Sequence, residues 1–157
     1  MNFPDAAAGQ AEPAQRRLYV AEPALAYRLE PPVVVDCSTM AALIFDEPNS
    51  ADAERQLAGK SLHAPTLLPY EIANVARNKQ RSGLPSTTVA AALAEFADYH
   101  VQLVAPQTDE LLALALRYTL SAYDAAYLAL AGRLRAPLAT FDKRLFAAAQ
   151  QHLDPAG

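Results

Sequence analysis

A single cysteine, Cys37, in 157 residues excludes an internal disulfide framework. Glycine is scarce as well, five in all, and none forms the Gly-rich loop that cradles the phosphates of a nucleoside triphosphate. The three histidines, His63, His100 and His152, stand 37 and 52 residues apart, without the short spacings of a zinc site. No apolar run approaches the ~18 residues of a transmembrane helix, so none is expected. Asp5 comes early and no basic segment precedes an apolar one, so no secretory signal is expected either. These absences make the cytoplasm the expected location.

Positive charge is also in short supply. Thirteen Lys and Arg against seventeen Asp and Glu leave a net charge of −4. Phosphate binding ordinarily draws on Lys and Arg, so this balance disfavours a protein that merely coats nucleic acid. The four acids singled out below account for the excess, and divalent cations beside them would offset that local charge.

What is present is an apolar chain, 52% hydrophobic, of a size that suits one domain. Residues 1 to about 17 are rich in Ala, Pro, Gln and Gly without a hydrophobic period, and read as a mobile tail. Leu18–Tyr27 has enough Leu, Val and Tyr to pack, but Pro23 interrupts it; a short extra strand and sequence upstream of the true start both stay open. Pro31-Pro32 marks a boundary. From there, strands are expected at Val33–Asp36, Leu62–Ala64, Val101–Val104 and Leu138–Thr140. Helices are expected through Met40 and Ile44, from Asn49 or Ser50 to near Gly59, and to about Ser82 with Gly83 and Pro85 as the stop. Others run from Ser86 or Thr87 to Tyr99, from Glu110 to Tyr118, to about Leu134, and from near Asp142 to about Gln151. Ser38, Thr108 and Ser121 are expected caps. Strands alternating with helices imply parallel pairing through right-handed crossovers. The expected fold is α/β, a three-layer α/β/α sandwich around a mainly parallel sheet of four to five strands.

Four carboxylates stand where strand-like sequence gives way to helix. Asp36 ends Val33-Val34-Val35, Glu71 opens the helix after Leu67-Leu68-Pro69-Tyr70, Asp124 follows Ser121-Ala122-Tyr123, and Asp142 closes Leu138-Ala139-Thr140-Phe141. In parallel sheets ligands bind beyond the carboxyl ends of the strands, so these positions can converge on one edge. Acids packed together repel unless cations neutralise them, and hard carboxylate oxygens suit Mg²⁺ or Mn²⁺. Two such ions ~3.5–4 Å apart support in-line attack of water on a phosphodiester. Each acid also has a structural alternative. Asp124 completes a capping box with Ser121, Asp142 can cap the final helix, and Glu71 can complement a helix dipole. Asp36 is the hardest to explain structurally, because an acid after three valines is costly without a partner.

Around them, Ser38 and Thr140 can orient a carboxylate or a bound water, against capping or strand packing as alternatives. Asn74, one turn after Glu71, can touch substrate or orient Glu71. Arg77, Lys79 and Arg81, with Lys143, Arg144, Arg133 and Arg135, are candidate phosphate contacts, although cations near helix C-termini are common for dipole reasons. Tyr70, Tyr123 and Phe141 adjoin the acids and can stack on unpaired bases, with core packing the expectation for Phe141. Cys37 reads as a small buried residue, since no cation or histidine adjoins it to lower its pKa.

The four acids, in that order and those contexts, resemble the PIN-domain ribonucleases, and within them the VapC-type toxins of toxin–antitoxin pairs. The resemblance runs from about Val33 to Phe146. It implies a PIN-like nuclease domain at residues 31–151, between an N-terminal extension, partly disordered, at 1–30 and a tail at 152–157. It further implies a metal-dependent endoribonuclease in which Asp36, Glu71, Asp124 and Asp142 bind Mg²⁺ or Mn²⁺ and act on RNA, leaving a 5′-phosphate and a 3′-hydroxyl. Similar toxins often carry hydroxyl residues at the places of Ser38 and Thr140 and a polar residue at that of Asn74. The implied partners are an RNA substrate, a cognate VapB-like antitoxin whose tail covers the acidic site, and a second copy in a homodimer. Two rival readings stand beside it: a catalytically idle PIN-like module that binds RNA or protein, and a haloacid-dehalogenase-like phosphatase with Asp36 as nucleophile. The second wants an acid two residues on, where this chain has Ser38.

Overall fold

The computed structural model describes residues 30–154. The expected mobile tail and the candidate strand at Leu18–Tyr27 lie outside the described residues, as do the last three of the expected C-terminal tail. Eleven elements follow in order among the described residues: β1 (Pro32–Val35), α1 (Cys37–Ile44), α2 (Ser50–Leu57), β2 (Ser61–Pro65), α3 (Leu68–Arg81) and α4 (Ser86–Asp98). Then come β3 (Gln102–Val104), α5 (Thr108–Tyr118), α6 (Ala122–Leu134), β4 (Leu138–Ala139) and α7 (Lys143–Leu153).

All strand pairs are parallel, and the four strands lie in the order β3-β2-β1-β4. Successive strands therefore step one way from β1 to β3, and β4 returns to the other side of β1. The order reverses between β1 and β4, the place where an open parallel sheet leaves a crevice at its carboxyl edge. Val34 pairs with Leu138 and Val35 with Ala139, which fixes the ends of those two strands side by side.

The three valines of β1 are at most 1% exposed, as expected of a central strand covered on both faces. Helix α6 lies against β1, β2 and β4, with α5 and α7 packed on it. Its residues Ala125–Ala131 are all buried, the pattern of a helix apolar on every side. Four of those seven are alanine, and small side chains let the helix axis approach the sheet closely. Helix α1, buried from Thr39 to Ile44, packs with α2, α3 and α4 as a second helical group. Because α6 leads into β4, it runs antiparallel to the strands and brings its N-terminus to their carboxyl edge.

Several caps differ from expectation. Asp36, not Ser38, caps α1, its carboxylate accepting from the Thr39 N–H. Thr108 is the first residue of α5 rather than its cap, and Gln107 before it makes no side-chain cap, whereas α4 starts at Ser86 as expected. Asn49 precedes α2 without a capping hydrogen bond, whereas Ser121 caps α6 as expected. Helix α7 continues to Leu153, and β4 stops at Ala139, leaving Thr140 free for another task.

Leu128, fully buried on α6, is the side chain on which this packing is best tested. Leu128→Ala is expected to lower stability by ~2–5 kcal/mol, read as a lower urea midpoint with an unchanged m-value.

Candidate active site

Asp36 leaves β1 at the reversal point and is only 5% exposed. A carboxylate buried there is tenable because every donor around it is aimed at it. Oδ1 accepts from the Thr39 N–H at 2.9 Å, and Oδ2 accepts from the Thr140 hydroxyl at 2.6 Å. The Ser38 hydroxyl lies 2.8 Å from both oxygens. Those hydroxyls are themselves held: Ser38 Oγ accepts from the Phe141 N–H, and Thr140 Oγ1 from the Asp142 N–H, each at 2.9 Å. Thr39 adds a hydrogen bond from its hydroxyl to the Ala139 carbonyl at 2.9 Å. Three hydroxyl residues thus tie the start of α1 to the end of β4 around one carboxylate.

Glu71 lies half-buried in the first turn of α3, where its charge faces the positive end of the helix. Tyr127, 2% exposed on α6, donates its hydroxyl hydrogen bond to Glu71 Oε2. The Glu71 carboxyl is raised above its ordinary 4.5, chiefly by burial. The Tyr127 hydrogen bond opposes that shift, and the charges of Asp36 and Asp124 add to it. Burial and the Glu71 carboxylate raise the Tyr127 phenol in turn, so it stays a protonated donor.

Ser121 and Asp124 form a variant of the expected capping box, in which the Asp124 carboxylate accepts from the Ser121 hydroxyl rather than from its backbone N–H. The Asp124 N–H donates to Ser121 Oγ at 3.0 Å, and that hydroxyl donates to Asp124 Oδ2 at 2.7 Å. The box orients the carboxylate, and its charge still acts on Glu71. Asp142 caps α7, Oδ1 accepting from the N–H groups of Arg144 at 2.8 Å and Leu145 at 2.9 Å. It is exposed, and it joins Asp36 through Thr140. The fold therefore brings the charges of Asp36 and Asp124 to bear on Glu71, with Asp142 joined to Asp36 through Thr140.

The ion pairs among the described residues, Arg55–Asp52 and Lys79–Glu47, involve none of the four acids. Hard oxygen donors that repel one another suit a divalent cation. Among the described residues, however, no three Asp, Glu, His or Cys side chains are grouped so as to hold a metal ion, so a cation here would draw much of its coordination from water or substrate. A cavity of about 490 Å³ beside the site is lined by Thr140 and Phe141 but by none of the four acids. Exposure rises from buried Asp36 through half-buried Glu71 and Asp124 to exposed Asp142, so the set reaches the surface at its Asp142 side.

The remaining candidates divide. Asn74, Arg77, Arg81 and Lys143 are exposed. Lys79 is committed to Glu47 at 2.6 Å and lies over the Phe45 ring. Arg144 donates to the Thr119 carbonyl at 2.7 Å. Arg133 and Arg135 close α6 and lead into β4, at the opposite end of the sheet from the acids. Tyr70 and Tyr123 are 76% and 67% exposed, and Phe141 is 39% exposed where core packing was expected. Burial, then Glu71 and Asp36, push the Cys37 thiol up to about 12, which excludes a ready thiolate nucleophile. Tyr127 and Thr39 carried no functional weight in the sequence. The available signal for Tyr127 was its spacing three residues after Asp124, which puts both on one helix face.

The model of the PIN domain family matches residues 33–151. The chain is similar to Ribonuclease VapC3 of Pyrobaculum aerophilum, at 36% identity over 119 residues that cover 72% of this chain and 91% of that protein. Its fold is similar to the crystal structure of PAE2754 from Pyrobaculum aerophilum, with a TM-score of 0.62 at 23% identity, covering 82% of this chain and 92% of the other.

Glu71 sets the pH response. Because its folded pKa is raised, stability is fullest below its ordinary value and falls as pH climbs through the folded value. In chelator, wild-type thermal midpoints are expected to drop as pH rises from about 4.5 through the raised folded value. Glu71→Gln, which keeps an acceptor for Tyr127, is expected to flatten that slope and raise the midpoint at the alkaline end. Tyr127→Phe is expected to steepen it. A series of melts across this range checks all three.

Proposed function

The chain belongs to the PIN domain family, and from that premise we propose that it is a metal-dependent endoribonuclease serving as the toxin of a toxin–antitoxin pair. The observation that carries this reading is the buried Asp36 carboxylate at the sheet reversal point, with its charge and that of Asp124 acting on Glu71 and no Lys or Arg of the described residues paired to any of them. Asp36, Glu71 and Asp124 would hold Mg²⁺ or Mn²⁺, with Asp142 completing the set from the rim. When bound, the ion supplies activation of water and charge stabilisation at the scissile phosphate.

The chain's own groups prepare that site. Ser38, Thr39 and Thr140 hold the Asp36 carboxylate in one orientation, so no rotamer freedom is lost when a ligand arrives. Tyr127 pins Glu71, and Ser121 pins Asp124. Asn74, Arg77, Arg81 and Lys143 are available to phosphates flanking the cut, while Lys79 and Arg144 are partly engaged within the fold. The exposed rings of Tyr70, Tyr123 and Phe141 offer stacking surfaces for unpaired bases. A VapB-like antitoxin would cover the acidic face. Exposed Leu93, Leu112 and Leu116 provide apolar surface on α4 and α5 for a second copy. No helix of the described residues is long and apolar enough to cross a membrane.

That no three Asp, Glu, His or Cys side chains among the described residues are grouped to hold a metal favours one other reading, an RNA-binding module without cleavage. Purified protein incubated with a structured RNA pool and Mn²⁺, Mg²⁺ or EDTA separates the two. Metal-dependent cutting is expected, with Asp36→Asn reducing it by ~10²-fold or more, the scale of a single catalytic group. Thr140→Val is expected to weaken activity or metal affinity by ~10–100-fold, as for partners that orient a ligand. Retained RNA affinity without cutting under any of these conditions would favour the binding module.

A further inference from the structure

A second cavity, of about 350 Å³, lies between the α5–α6 turn and α7, lined by Arg117, Tyr118, Thr119, Arg144, Ala147 and Gln151. No Asp or Glu of the described residues lines it, and neither arginine joins an ion pair among them. Two guanidinium groups gathered without a carboxylate repel each other until an anion joins them. Their planar forks of N–H donors match the oxygens of a phosphate.

The fold orients both groups. Arg144 donates from Nη2 to the Thr119 carbonyl at 2.7 Å, which fixes the guanidinium and leaves its remaining donors for a ligand. The Arg117 guanidinium lies 5.2 Å from the centroid of the Tyr118 ring. That contact spends the face of the guanidinium and not its N–H donors. Tyr118 is itself held by His152, with its hydroxyl 3.2 Å from Nδ1 and the two rings meeting edge to face at 5.6 Å. Both arginines are exposed, so a ligand can reach them.

The cavity is carried by the same two segments that carry Asp124 and Asp142. The Arg144 N–H donates to Asp142 Oδ1 at 2.8 Å. Thr119 stands just before Ser121, whose hydroxyl holds the Asp124 carboxylate. Carboxylates repel a phosphodiester strand, so a strand drawn to them needs a cationic hold alongside. Other basic groups are less well placed for that. Lys79 is paired with Glu47, Arg77 and Arg81 lie further along α3 from Glu71, and Arg133 and Arg135 fall at the opposite end of the sheet.

We propose that Arg117 and Arg144, with Gln151 as a further donor, form a subsite for an RNA backbone phosphate flanking the cleaved bond. The pair grips and orients the strand and takes no part in breaking the bond. This assignment rests on the reading of RNA as the substrate.

The probe is a short fluorescein-labelled single-stranded RNA of mixed sequence. Its binding to the full-length Asp36→Asn protein in Mg²⁺ is followed by anisotropy across a KCl series. Arg117→Gln and Arg144→Gln, added to that background, are each expected to weaken binding ~10-fold at low salt, the scale of one charge-assisted hydrogen bond. Each is also expected to flatten the slope of log K against log[KCl] by ~0.7, and the two together by ~1.4. Arg117→Gln removes no hydrogen bond recorded among the described residues, so its slope is read independently of the Arg144–Thr119 contact. Arg133→Gln, at the far end of the sheet, should change neither quantity. In the otherwise wild-type protein with Mn²⁺, the two substitutions should raise KM and leave kcat nearly unchanged, as for lost binding that is equal in ground and transition states. Weaker binding with unchanged slopes would make the arginines structural and overturn the subsite, as would an equal loss from Arg133→Gln. Flattened slopes without cutting in Mn²⁺ would keep the subsite and overturn the nuclease reading. Cutting with slopes and KM unaffected would do the reverse, and neither binding nor cutting would overturn both.

Discussion

The buried carboxylate of Asp36 is the constraint around which the rest is arranged. A charge at 5% exposure after three valines is unstable unless hydrogen bonds replace its water. Here the replacements come from both strands that flank the sheet reversal: Thr39 N–H and Ser38 from the start of α1, and Thr140 from beyond β4. Meeting that demand pulls the two chain segments, about a hundred residues apart, into one turn. Asp142 arrives at the same place because its N–H is spent on the Thr140 hydroxyl.

The second half of the site rests on α6. A helix buried on all sides can deliver a polar group to the sheet edge only at its end or through a residue with a polar tip. It does both: Asp124 at its first turn and Tyr127 one turn later, whose hydroxyl meets Glu71. The result is a group of acids with rigid members and, among the described residues, no ion pair to any of them. Burial raises the Glu71 pKa and repulsion from Asp36 and Asp124 adds to it, a cost that a bound cation would relieve. The structural and catalytic roles of Asp124 and Asp142 were set against each other in the sequence, yet the geometry makes them compatible. A capping bond uses one oxygen of each carboxylate and fixes the direction of the other.

Exposed Tyr70, Tyr123, Phe141 and Lys143 adjoin the acids in sequence, whereas exposed Arg77 and Arg81 lie further along α3 from Glu71. Basic groups that the sequence placed around the last strand are split by the fold. Lys143 and Arg144 stand near Asp142, whereas Arg133 and Arg135 fall at the far end of β4. Linear proximity to Leu138–Ala139 could not distinguish the two ends of a strand.

The alternation of apolar strands with helices, and hence a parallel α/β sandwich, was legible in residue order, because hydrophobic period and turn chemistry are local properties. So were four acids at strand and helix boundaries, and the Ser121 cap with its Asp124 partner. Other features required the folded chain. The strand order β3-β2-β1-β4 is a matter of pairing between distant segments, and it alone makes Asp36 and Thr140 neighbours. The Asp36 cap of α1, the exposure of Phe141, the commitment of Lys79 to Glu47 and the contact of Tyr127 with Glu71 likewise depend on what each side chain meets across the core. Residue types and spacing determined which groups were available for chemistry. Burial and long-range packing decided which of them share a site, because desolvation and hydrogen-bond competition exist only once the chain has closed on itself.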